Sequence, residues 1–193
     1  MNPFNILFEH LQSTIDLNVE QLALIGNKFK EKKVKKKGFL LGAGEVSKHM
    51  RFIASGCLRS YYMDENSQEH TLQFGIENWW VNDLYSYLTG SPSNQFLQAI
   101  EESTILQIHK DDLEILIGEV PGIERFFRLK IQSAYVTLQE RMLDNMSLTA
   151  YDRYVDFRNK YRDIEQRVPQ YMIASYLGIT PEFLSNIRKN APR

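Results

Sequence analysis

Thr180, Glu182, Ser185, Asn186 and Lys189 are polar or charged side chains spread over ten residues. At 3.6 residues per turn they share the outer side of one helix. Groups of this kind read the edges of nucleotide bases. A carboxamide such as Asn186 can bond adenine N6 and N7, and a carboxylate such as Glu182 can accept from cytosine N4. Glu182 also has a simpler use, as a first-turn acid favoured by the helix dipole. Gln170, Tyr171, Arg188 and Arg193 flank this face and suit phosphate.

A helix-turn-helix that starts at Gln170 would hold these groups in place. Two helices that cross closely need one small residue, and Ala174 supplies it. The turn needs a residue at ease with φ > 0, and Gly178 is there. Ile173, Leu177, Ile179, Leu184 and Ile187 fill the five positions that must be apolar to lock the pair. Pro169 stands where a helix begins, Thr180 can cap the second helix, and Pro181 occupies its first turn. The competing reading is an αα-hairpin that binds nothing.

Other chemistry finds little support. Cys57 is the only cysteine, so the chain lacks an internal disulfide and cannot alone supply a four-thiolate cluster. It reads as a small buried hydrophobe. His10, His49, His70 and His109 are scattered, with no H-x-H or H-E-x-x-H spacing, so no metal site and no cofactor are predicted. A nucleophile elbow and a Walker A loop are also missing. The chain is not predicted to be an enzyme; a metal-dependent cupin, which shares a rolled β architecture, is the rival in that class. The 193 residues are 43% hydrophobic, enough for a packed core. No apolar run reaches the ~18 residues of a membrane span, and Met1–Leu11 lacks a basic n-region, so a cytoplasmic protein is expected. Net charge is −1 overall, yet residues 151–193 hold eight Lys/Arg against five Asp/Glu. A local basic face at that end is therefore expected.

Upstream, the pattern divides the chain into three. Phe4, Leu7, Phe8 and Leu11 have helical spacing, and a second short helix starts near Asn18. Lys28–Lys37 holds seven lysines, which fits a solvated edge strand defended by lysine or a phosphate contact. From Gly38 to His109 come short β-type runs with turns, among them a hairpin around Asp64–Ser67 and a final pair over 96–100 and 104–108. Trp80–Thr89 reads as a short helical insert. After Lys110 the period becomes helical, with Asp111-Asp112 as the cap of a short helix. A long helix follows over 123–146, with a seam of Phe127, Ile131, Ala134, Leu138 and Met142 suited to a partner helix or to the roll. The predicted class is α+β: a jelly-roll-like β-roll over 1–120, a long dimerisation helix over 121–147 and a helix-turn-helix over 148–193.

This order of parts resembles the cyclic AMP receptor protein/FNR (Crp/Fnr) family of bacterial transcription regulators. The run from Val168 to Ser185 resembles the form in Bacteroidetes-type members, and Leu41-Gly42-Ala43-Gly44-Glu45 and Gly56-Cys57-Leu58-Arg59 are similar to the family's roll. The resemblance implies a homodimer, double-stranded DNA with a palindromic site, and a small-molecule effector and RNA polymerase as further partners. It also implies a cyclic-nucleotide cassette of Gly-Glu followed by Arg-Ser. By register this chain has Asn82-Asp83 and Ser93-Asn94 there, so Asp83, Ser93 and Asn94 are the candidate effector residues. No Lys or Arg lies between Arg59 and Lys110. Cyclic AMP is therefore not expected to bind, and the aromatics Trp79, Trp80, Tyr85, Tyr87 and Phe96 suggest a packed interior or a neutral ligand. Two further departures are Pro181, where the family often has arginine, and a wing that is short or missing. The alternative function is an effector-binding or interaction module with a degenerate helix-turn-helix.

Overall fold

Arg51–Phe52–Ile53–Ala54 is buried on every residue, and this one strand explains how the layers stack. Alternate side chains of a strand point to opposite faces, so a strand buried throughout must be covered on both. The computed structural model describes residues 2–190 and shows both covers. Helices α1 (Pro3–Gln12) and α2 (Val19–Lys28) lead into strands β1 (Lys30–Val34), β2 (Phe39–Leu41), β3 (His49–Ser55), β4 (Leu58–Met63) and β5 (Glu69–Gly75). Then come α3 (Leu84–Thr89), β6 (Gln95–Ala99), β7 (Ser103–His109), α4 (Lys110–Glu119) and the long α5 (Ile123–Ser147). The chain ends in α6 (Ala150–Lys160), α7 (Arg162–Arg167), α8 (Gln170–Leu177) and α9 (Pro181–Asn190).

The strands form two antiparallel sheets, ordered β1-β7-β3 and β2-β6-β4-β5. Ile53 and Ile105 face inward with Leu40, Leu58, Val81 and Leu97 to make the roll's interior. Phe52 and Leu106 face outward, into a second cluster with Leu7, Leu11, Ile25, Leu116 and Phe126 from α1, α2, α4 and α5. Helices α1, α2, α4 and α5 therefore cover the outer face of the β1-β7-β3 sheet.

The sheet order corrects one expectation. Residues 96–100 and 104–108 are not a hairpin pair: β6 runs between β2 and β4, while β7 runs between β1 and β3. The β4–β5 hairpin is as expected, with Asp64 Oδ1 accepting from the Asn66 and Gln68 amides. Two helix starts also differ. His109, not Asp111-Asp112, caps α4, and α7 is an extra short helix.

Phe127 moves from the seam to the core. It is 6% exposed and meets Trp80 edge-on at 4.9 Å. Trp80 itself lies outside the roll, between Phe52, Phe126 and Phe127, and Tyr85 is exposed. These aromatics do not line one interior. Further along α5, Ile131, Leu138 and Met142 are exposed, as are Ala134, Tyr135, Val136, Leu143 and Met146.

Candidate nucleic-acid interface

Gly178 has φ +68°, the left-handed conformation that ends α8 without strain. Its amide and that of Ile179 reach back to the Ser175 and Ala174 carbonyls. The chain turns, and Thr180 Oγ1 accepts the Phe183 amide at 3.2 Å to cap α9. Ile173, Ala174 and Leu184 are fully buried, and Leu177 and Ile187 nearly so. Ile179 is half-buried against the same cluster. Those inward residues aim the rest of α9 outward. Glu182, Asn186 and Lys189 are exposed, Ser185 is half-buried, and Gln170, Tyr171 and Thr180 are exposed beside them. Arg193 lies outside the described residues.

Some expected members are tied elsewhere. Arg188 stands 3.9 Å from Glu165, whose carboxylate accepts the Tyr154 hydroxyl at 2.6 Å. Burial and then that carboxylate push the Tyr154 hydroxyl up to about 12, so it stays a donor. Tyr171 is near enough to Tyr61 of the roll to help raise its hydroxyl, behind burial and Glu69. Phe183, half exposed on α9 beside Glu182, is an outward aromatic that the polar pattern concealed.

The helix-turn-helix is docked on its own roll. Cys57, Phe74 and Ile100 share a cluster with Tyr154, Phe157, Ile164 and Met172. Ser175 Oγ accepts the Thr71 amide at 2.8 Å and donates to the Glu69 carbonyl at 2.7 Å. Leu72 is the extra residue of a bulge in β5, since Ser60 pairs with Gln73 and Tyr61 with Thr71. Arg141 of α5 donates to the Leu72, Thr71 and Tyr176 carbonyls and stacks on the Tyr176 ring at 3.9 Å. Arg167 donates to Glu77 and Glu101. Ser175, Arg141 and Arg167 had no periodic signal in the sequence. Cys57 lies under this junction, fully buried, with burial pushing its thiol up to about 12.

The candidate effector residues form a closed local motif. Asp83 is buried and caps α3 through the Ser86 amide, and Ser93 Oγ donates to its other oxygen at 2.6 Å. Asn94 is exposed and takes no part in that motif. The nearest buried cation comes from outside the segment. Arg51 of β3, 3% exposed, donates to Asn82 Oδ1 at 3.0 Å and to the His49 and Leu40 carbonyls. Burial lowers its guanidinium to about 10. Among the described residues no group of three or more His, Cys, Asp or Glu gathers as a metal site. No helix among them is long and apolar enough to cross a membrane.

Residues 31–119 match the cyclic nucleotide-binding domain family. The chain is 25% identical over 183 residues to an anaerobic regulatory protein of Haemophilus influenzae, covering 89% of this chain and 70% of that one. It is 26% identical over 186 residues to a fumarate and nitrate reduction regulatory protein of Yersinia pestis, covering 89% and 72%. Along most of its length the chain is thus similar to these regulatory proteins. Solved folds agree. FixK2 from Bradyrhizobium japonicum superposes with TM-score 0.73 at 17% identity, covering 84% of this chain and 83% of that one. A Crp/Fnr regulator from Eubacterium rectale superposes with TM-score 0.69 at 16% identity, covering 91% and 83%. Arg141, Ser175 and Arg167 thus join the roll, long helix and helix-turn-helix of this chain.

Proposed function

We propose that this chain is a DNA-binding transcription regulator of the Crp/Fnr type and not an enzyme, and that it reads double-stranded DNA through α9. The observation that carries the reading is the helix-turn-helix itself: Ile173, Ala174, Leu177, Leu184 and Ile187 are buried, Ile179 is half-buried against them, and Glu182, Asn186 and Lys189 are left exposed on one side. Asn186 and Glu182 read base edges, Ser185, Thr180 and Lys189 support them, and Gln170, Tyr171 and Arg188 meet phosphate. Two copies paired through α5 would present two such helices about one DNA turn apart, ~34 Å, to a palindromic site. The exposed apolar stripe of Ile131, Leu138 and Met142 supports that pairing. Residues 1–120 then act as a sensor-like roll, 121–147 as the pairing helix and 148–193 as the reader. DNA as target places its work in the cytoplasm, with RNA polymerase and a small effector as further partners.

Selection of duplexes from a random pool tests this. The wild-type chain should recover a palindromic consensus. Asn186→Ala and Glu182→Ala should each cost ~1–3 kcal/mol of preference at one position per half-site. No consensus, or variants that select like wild type, would sink the reading.

A further inference from the structure

We propose that the groove between the end of α5 and α6 is a binding site for a small organic cation, an ammonium group carried on a flat apolar body. The groove encloses about 370 Å³, a volume suited to a small molecule. Its floor is aromatic. Phe157 is 3% exposed, and its ring centre lies 5.5 Å from that of Tyr161 and 5.4 Å from that of Tyr176. Glu140 and Asp144 of α5 form one wall, and Asp156 and Lys160 of α6 form the other. The site lies well away from the roll and from Asp83 and Ser93. Asp144 stands about a third of a turn or more around α5 from Ile131, Leu138 and Met142, so the groove is not part of the stripe assigned to pairing.

The sign of the guest follows from which groups are already engaged. Three acids and three bases line the groove, so the formal charges balance. The bases are all committed. Arg141 donates to the Leu72, Thr71 and Tyr176 carbonyls, and Lys160 to Glu140 at 3.2 Å. Arg153 donates to the Leu148 and Leu177 carbonyls, and its remaining Nε is fully buried. Among the described residues the Asp144 and Asp156 carboxylates have neither a hydrogen bond nor an ion pair. Asp144 is half-buried in the last turn of α5, which holds no basic residue. The helix carbonyls already concentrate negative charge there, so a carboxylate is disfavoured until a cation neutralises it. The Tyr161 and Tyr176 hydroxyls also lack partners among the described residues, and burial holds the Tyr176 phenol above its usual range, so it stays protonated. What the groove leaves unspent can therefore accept from a cation. A metal ion does not suit it, because no three His, Cys, Asp or Glu gather among the described residues. An ammonium group between Asp144 and Asp156, with its body on the rings, uses both the charge and the floor. The two carboxylates stand on either side of the Leu148–Thr149 joint, so the same cation would fix α6 against α5.

Isothermal titration of the full chain with phenethylamine tests the site, with 2-phenylethanol as the neutral isostere and phenylacetate as the anion. Phenethylamine should give saturable heat that the other two lack. Asp144→Asn and Asp156→Asn keep the shape and remove the charge, and each should weaken phenethylamine about threefold to tenfold. Glu65→Gln, in the exposed turn of the β4–β5 hairpin, removes the same charge elsewhere and should leave the affinity as in wild type. Neither Asn variant should lower the thermal midpoint, because neither carboxylate has a partner in the fold. A lowered midpoint in either would show a carboxylate already engaged and would overturn the site. Equal binding of the alcohol and the amine, unchanged affinity in both Asn variants, or no saturable heat with phenethylamine would overturn it too. The site does not rest on DNA reading by α9, so a failed duplex selection leaves it standing, and its own failure leaves α9 recognition standing.

Discussion

Arg167 grips Glu77 with two hydrogen bonds, of 2.7 and 3.0 Å, across the junction between the helix-turn-helix and the roll. Glu77 uses the same carboxylate to accept the Gly56 amide at 2.7 Å. Burial pushes the Glu77 carboxyl up, but the bonds from Arg167 and Gly56 outweigh it and hold the group below its usual range. Arg167→Ala removes both charge-assisted bonds and leaves Glu77 half-buried without its cation. The expected loss is about 1–2 kcal/mol, discounted because both side chains are partly exposed. Amide exchange across α8 and β5 should rise ahead of exchange in β3 and β7. Uniform exchange and unchanged denaturant midpoints would mean that Arg167 does not hold the docking.

The helix-turn-helix could be read from the sequence because its constraints are local. A small residue, a left-handed glycine and five apolar residues fall within about twenty positions, and each has one physical cause. Strand partners are not local. Residues 95–109 read as a hairpin because two β-type runs flank a short turn. Yet the Ala99 amide and carbonyl are already committed to Gly38 and Lys37, and β6 closes its ladder with β2 and β4. That choice is made by residues some sixty positions upstream. Phe127 has the spacing of the seam, and only the presence of Trp80 and Phe126 beside it turns it inward. Arg141 and Ser175 are single polar residues on helices, and nothing in helical periodicity announces a strand bulge waiting for them.

Pairing through α5 has its own test. Leu138 is 54% exposed in one chain, too large an apolar group to be left so without a reason on a stripe with Ile131 and Met142. Leu138→Glu would place a charge in that seam and, if the seam is the interface, leave it unpaired on association. Sedimentation at micromolar concentration should show a dimer for the wild type and a monomer for the variant, each with the same thermal midpoint measured at high dilution. A wild-type monomer would rule the pairing out.

His10 predicts the acid side of the stability curve. Its ring packs on Phe52 and Phe126, and its Nε2 has no hydrogen-bond partner. Burial, and then the Lys130 charge, lower it from 6.5 to about 4. The unfolded chain therefore binds a proton between those values that the folded chain refuses. Stability from this group is complete above pH 6.5 and is lost as pH falls toward 4. Allowing for partial exposure, the loss is about 1–2 kcal/mol. His10→Phe keeps the aromatic packing and removes the titration. Its urea midpoint should fall less than that of the wild type between pH 6.5 and 4, and parallel curves would remove His10 from the account.

Cyclic AMP should not bind the roll. Its phosphate carries a full negative charge, which costs several kcal/mol to enclose without a cation. The cassette positions offer the reverse. Asp83 is a buried carboxylate whose oxygens are taken by the Ser86 amide and the Ser93 hydroxyl, so the hydroxyl that could face a ligand is turned onto an acid. Arg51 is the one buried guanidinium near Asn82, and its two Nη atoms are engaged by Ser47, His49, Asn82 and Leu40. Freeing it would break those bonds and expose an interior that Ile53, Leu58, Leu97 and Ile105 fill. Isothermal titration with cyclic AMP and cyclic GMP should therefore give no saturable heat at micromolar ligand. Asp83→Ala should leave that result unchanged while lowering stability through the lost α3 cap, by about 1 kcal/mol. Micromolar binding that Ser93→Ala or Arg51→Gln abolishes would falsify this, and would mean that the Arg51 cluster reorganises around the phosphate.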